Sequence, residues 1–134
     1  MISGYRTERR KFKRLRVSLS VLYRVMWPWA VLEQTQGQEL EGQTLDLNEQ
    51  GMALLSQRAF PLETKLFLKV IIFESNHIGE ADFHEVAILY GQVRSSVLQA
   101  DGKYRLGLWF EDMDGYQKMK IQDIMNSCLH HEPF

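Results

Sequence analysis

Residues Glu8 to Val17 read ERRKFKRLRV and hold six Lys or Arg in ten positions. Cationic groups at that density are either a solvated chain end or one half of an anion site. Arg10 and Arg14 stand four apart. On a helix they would share a face, and in extended chain they would lie about 13 Å apart along a ligand. A second group of candidates is DLNEQG, Asp46 to Gly51. Asp46 offers an acceptor-only carboxylate, Asn48 an amide that donates and accepts, and Gly51 a backbone that can come close or take a positive φ. Alone these residues describe an ordinary hairpin turn. Beside an arginine arm they form an inventory for a guanine nucleotide. Guanine O6 and N7 suit a forked guanidinium, its N1–H and N2–H₂ suit a carboxylate, and phosphates take further arginines.

Charge narrows the ligand. The chain of 134 residues has a formal net charge of -1, but residues 1–16 hold seven basic side chains against the single acid Glu8, leaving an arm of +6 on a body of -7. So acidic a body repels a long polyphosphate, which argues against a protein that coats DNA or RNA and suits a small anion reached by the arm. No nucleic-acid polymer is expected as a partner. The lone Cys128 forms no internal disulfide, so nothing asks for an oxidising compartment. No apolar run approaches the ~18 residues of a membrane span, Val70–Phe73 being only strand-sized, and MISGYRTERRKFKR lacks the apolar stretch of a signal peptide. The expectation is a cytoplasmic protein with no membrane insertion.

Other constellations carry less. Cys128, His130 and His131 crowd the chain end, and His77 and His84 have no spacing partners, so no metal site and no cofactor are expected. Glu111, Asp112 and Asp114 fit a helix start, where anions meet the positive dipole end. No nucleophile motif or Gly-rich phosphate loop is present, and the chain is expected not to be an enzyme.

The elements that must position these residues are mostly strands. Val17, Leu19, Val21, Tyr23 and Val25 share one parity, and Arg16, Ser18, Ser20 and Arg24 the other, which predicts a strand with one wet face. Trp27-Pro28-Trp29 interrupts it, and Gln34–Gln43 is expected to form a hairpin turn around Gly37. GQTLDL, GMALLS, KLFLKVIIF, EVAILYGQVRSSVLQ and KYRLGLWF follow as further strands between turn residues. Glu74–Glu85 is expected to be a polar loop. After Asp112 or Asp114, Ile121, Ile124, Met125 and Cys128 recur at helical spacing, which predicts one amphipathic helix of about four turns. Arg94 lies on a strand next to the expected ligand face, where it could stack on a base, but a solvated strand arginine is the expectation. Residues 1–16 form the arm and 17–134 one all-β domain, a small six-stranded antiparallel barrel with a C-terminal α-helix.

ERRKFKR before a strand, LDLNEQGMALLSQRAFPLETKLFLKV, and GQVRSSVLQADGKYRLGLWFEDMD together resemble the PilZ domain family, from about Glu8 to Leu129. The family pattern is RxxxR in an N-terminal loop, (D/N)xSxxG at a strand turn, and a later strand leading into a helix. The resemblance implies a PilZ-type barrel that binds cyclic di-GMP, a bacterial second messenger. It assigns ligand contacts to Arg10 and Arg14 as the RxxxR pair, to Arg9 before them, and to Asp46 and Gly51 at the ends of the second motif. Asn48 stands where the family has serine, and as a site residue it brings a bulkier, planar amide.

Three functions are compatible with these residues. The first is a cyclic di-GMP receptor whose binding changes a surface read by a downstream protein partner. The second is an adaptor with the same barrel that binds protein only. The third, suggested by composition, is a barrel that binds single-stranded nucleic acid, which the acidic body disfavours.

Overall fold

Val21, Tyr23 and Val25 are buried and Arg24 and Met26 exposed, so the alternation read from the first strand is realised as an inside and an outside. The computed structural model describes residues 15–75 and 81–131. Its elements are β1 (Leu15–Trp27), α1 (Trp29–Thr35), β2 (Leu40–Leu47), β3 (Gly51–Ser56), β4 (Lys65–Ser75), β5 (Ala81–Leu98), β6 (Tyr104–Glu111) and α2 (Gly115–His131). The strands close into a barrel in the order β1-β2-β3-β6-β5-β4, with every neighbouring pair antiparallel. Closure removes the sheet edges that would otherwise template aggregation. The barrel with a C-terminal helix is the architecture expected from the sequence.

One side chain in two from each strand fills the interior. Val21, Tyr23, Leu54, Leu66, Leu68, Val70, Leu89, Val93 and Leu106 are each at most 1% exposed. Val31 of α1 and Ile121 and Ile124 of α2 join the same cluster. The start of α2 is fixed by a reciprocal cap. Asp114 Oδ1 accepts the Gln117 backbone N–H at 2.8 Å, and Gln117 Oε1 accepts that of Asp114 at 3.0 Å. Asp114, not Asp112, is therefore the capping acid; Asp112 takes a positive φ of 52° just before it.

Two expectations fail. Gln34–Gln43 is not a hairpin turn around Gly37, because only Gln36–Glu39 lie between a helix and the next strand. Trp29–Thr35 forms the seven-residue α1, which ends with Gln36 and Gly37 in left-handed conformations, and β2 starts at Leu40. Nor is Glu74–Glu85 all loop. β4 runs to Ser75 and β5 starts at Ala81, with Phe73 paired to His84 and Glu74 to Phe83. Ladder hydrogen bonds come from the backbone, so polar side chains do not stop a hairpin from extending past the barrel wall.

Candidate functional site

β6 alternates Arg105, Leu106, Gly107, Leu108 and Trp109. Leu106 and Leu108 are buried in the interior, which turns Arg105, Gly107 and Trp109 outward. Across β3 and β5, Gly107 pairs with Ala53 and with Ser95. Ala53 pairs in turn with Asp46 on β2. Asp46, Ala53, Gly107 and Ser95 thus make one row over four strands, three of them small. A Cβ on Gly107 would come within 2.4 Å of Ser95 Oγ, so the row stays low. It is the floor of an outer-wall cleft of about 370 Å³. Arg105 and Val97 border it on one side, Trp109 and Gly51 on the other, with Arg94 and Asn48 at its ends.

Two β-bulges aim the floor residues outward. Thr44 and Leu47 both point into the core, three positions apart, because the ladder shifts between Thr44 and Asp46. That shift moves Asp46 from the inner face to the outer one. The buried Thr44 hydroxyl spans the irregularity, within 3.1 Å of the carbonyl oxygens of both Asp46 and Ala53. A second shift between Val93 and Ser95 leaves Val93 inside and turns Ser95 and Val97 out, with Arg94 as the extra residue.

Asp46 does not stand alone. Arg105 Nη2–H donates to its Oδ2 at 2.8 Å, with 36% of the arginine and 15% of the aspartate side chain exposed. Farther along the wall, the guanidinium of Arg94 on β5 lies 4.3 Å from the centre of the Trp109 ring on β6, which is 57% exposed. Such a pair presents a flat cationic and aromatic surface to a ligand. Arg94 is therefore an exposed cleft residue packed on an indole, rather than simply a solvated strand arginine.

Asn48 and Gly51 shape the turn. Asn48 Oδ1 accepts the backbone N–H groups of Gln50 at 2.7 Å and Gly51 at 2.9 Å, and Asn48 N–H donates to Gly51 O at 3.0 Å. With its oxygen committed to the turn, the amide has its NH₂ end left to serve the cleft. Gly51 needs no positive φ. Its role is close approach, since a Cβ there would lie 2.0 Å from the Leu108 carbonyl oxygen.

Of the residues singled out in the sequence, Asp46, Asn48 and Gly51 meet at one end of the cleft. Arg9, Arg10 and Arg14 lie outside the described residues. Leu15, next in the chain after Arg14, pairs with Leu47, so the polypeptide enters the barrel beside Asp46 and Asn48. Sequence reading passed over Arg105, Trp109 and Ser95. The parity of Arg105 and Trp109 against Leu106 and Leu108 was the available signal, whereas Ser95 depends on the bulge. Among the described residues no cluster of His, Cys, Asp and Glu could hold a metal ion, and no helix is long and apolar enough to cross a membrane.

A family model described as PilZ domain matches residues 8–127. Against curated protein sequences the chain finds no match. Among solved structures it resembles the PilZ domain of YcgR from Escherichia coli with c-di-GMP, at 16% identity and a TM-score of 0.62, over 91% of this chain and 92% of that one. It also resembles the Bacillus subtilis inhibitor of motility MotI/DgrA, at 14% identity and a TM-score of 0.64, over 92% of this chain and 53% of that one. The MrkH–c-di-GMP complex of K. pneumonia is similar at 13% identity and a TM-score of 0.59, over 90% and 52% of the respective chains. At these identities the likeness is one of fold.

Proposed function

The chain belongs to the PilZ domain family, and from that premise we propose that it is a cyclic di-GMP receptor rather than an enzyme. One observation carries the reading: Asp46 closes one end of a low floor walled by Arg105, Arg94 and Trp109, beside the point where the arginine-rich segment joins β1. The floor admits a planar base, the carboxylate suits guanine N1–H and N2–H₂, and cationic groups suit the two phosphates. Solved structures of similar fold include the PilZ domain of YcgR with c-di-GMP and the MrkH–c-di-GMP complex.

In this reading Arg9, Arg10 and Arg14 bring the second cationic wall to the ligand, and Asp46, Asn48 and Gly51 hold the first. Closing the arm on cyclic di-GMP changes the surface next to the cleft, and a downstream protein partner responds to that change. Binding does the work of a switch only to the extent that the two surfaces differ in affinity for the partner.

Calorimetric titration with cyclic di-GMP tests it, with GTP and a single-stranded oligonucleotide as controls. Saturable binding selective for cyclic di-GMP supports the receptor. Equal affinity for GTP would contradict it, and no binding at all would return the chain to a protein-only adaptor.

A further inference from the structure

The Asp46–Arg105 pair joins two strands that are not neighbours. Asp46 sits on β2 and Arg105 on β6, with β3 between them. The two residues are 59 positions apart in the chain. Arg105 is paired in register with Leu55 and Val97, one row along from the floor, so its side chain must lean back over β3 to bring Nη2 within 2.8 Å of Asp46 Oδ2. The result is an acceptor group and a donor group side by side at the end of the floor. Both line the cleft.

We propose that Arg105 is a specificity-determining residue, which together with Asp46 reads the Watson–Crick edge of guanine. This rests on the receptor reading above. That edge carries the O6 acceptor next to the N1–H and N2–H donors. A carboxylate accepts from the two donors, and a guanidinium already anchored on that carboxylate has further N–H groups to offer O6. Adenine presents a donor amine where guanine has O6, and an acceptor where guanine has N1–H. Against the same pair it sets donor against donor and acceptor against acceptor. Discrimination of this kind is strong because the mismatched groups lose water without gaining a partner. Arg105 also holds Asp46 in one orientation, so the carboxylate need not be ordered by the ligand.

The test titrates cyclic di-GMP and cyclic di-AMP into the wild-type chain, Arg105→Met and Arg105→Lys, with thermal unfolding of each. Loss of a charged hydrogen bond predicts that Arg105→Met binds cyclic di-GMP about 10–100-fold more weakly. Its weak affinity for cyclic di-AMP should stay within about threefold, so the preference for guanine narrows. Arg105→Lys, which keeps the charge but not the fork, should recover part of that preference. Unchanged cyclic di-GMP affinity in Arg105→Met overturns the proposal while leaving the receptor reading intact. A proportional loss for both ligands overturns it too, because it would make Arg105 a phosphate contact. A wild-type chain that binds neither dinucleotide overturns the receptor reading itself, and this proposal with it.

Discussion

Gly51→Ala should destabilise the protein in the absence of any ligand. The new Cβ would sit 2.0 Å from the Leu108 carbonyl oxygen, and real Cβ contacts essentially never fall under 3.0 Å. The obstacle is backbone, so no rotamer change relieves it, and β3 must move from β6 by about 1 Å. That opening strains the hydrogen bond from Phe110 N–H to Gln50 O, now 2.8 Å, next to the Gly51–Trp109 pair. Overpacking that forces backbone shifts costs about 1–3 kcal/mol, and a weakened hydrogen bond adds about 1 kcal/mol. A loss of about 2–4 kcal/mol corresponds to a midpoint lower by roughly 6–20 °C for a domain of this size. Thermal and urea unfolding without ligand measure it. Gly115→Ala is the internal control, because nothing lies within 4 Å of its added Cβ, and it should be neutral or slightly stabilising. If Gly51→Ala unfolds at the wild-type midpoint, then close strand approach is not why glycine is there. The reasoning would be wrong.

Three further outcomes are expected. Asn48→Asp keeps an oxygen to accept the Gln50 and Gly51 N–H groups, so stability should hold, but it replaces the NH₂ donors with charge beside Asp46. Calorimetry should show cyclic di-GMP binding weaker by about tenfold or more. Unchanged affinity would mean that the Asn48 amide does not face the ligand. Arg10→Ala and Arg14→Ala should each weaken cyclic di-GMP binding roughly ten- to a hundredfold with little change in thermal midpoint, and a midpoint lower by many degrees would make the arm structural. The buried Tyr23 hydroxyl has its pKa pushed above its ordinary value of 10.0, chiefly by burial, against the lowering effects of its hydrogen bond to Ser56 and the Arg58 charge. Above pH 10 the unfolded chain sheds this proton first, so stability should decline as pH rises through that range. Tyr23→Phe should flatten the alkaline decline in urea midpoint, and an identical slope in both proteins would contradict that assignment.

How much of this was legible follows from where each signal resides. β3 was readable to its ends as Gly51–Ser56, because an apolar run bounded by turn residues carries its own limits. Ile121 and Ile124 announced the buried face of α2 by their spacing. α1 was hidden, since seven residues after Pro28 make under two turns, too few for the helical period to repeat, and no side-chain cap marks the start. The outer ends of β4 and β5 were hidden because polar residues there share a ladder without sharing a core. In the site, Asp46, Asn48 and Gly51 were visible through their spacing. The outward aim of Asp46 was not. It depends on a bulge, and simple alternation would have put Asp46 on the same face as the buried Thr44. The Asp46–Arg105 pair bridges 59 positions, and no local pattern encodes a contact of that kind.

The central claim is that cyclic di-GMP lies on the outer-wall floor between Asp46 and Ser95. Its most direct test is an amide chemical-shift titration of the isotope-labelled chain with cyclic di-GMP. Saturating shifts should concentrate in residues 46–53, 94–97 and 105–109, together with the arginine-rich segment, and should leave the exposed Trp27–Trp29 region undisturbed. Saturating shifts that spare Asp46, Gly107 and Ser95 and gather elsewhere on the barrel would contradict it.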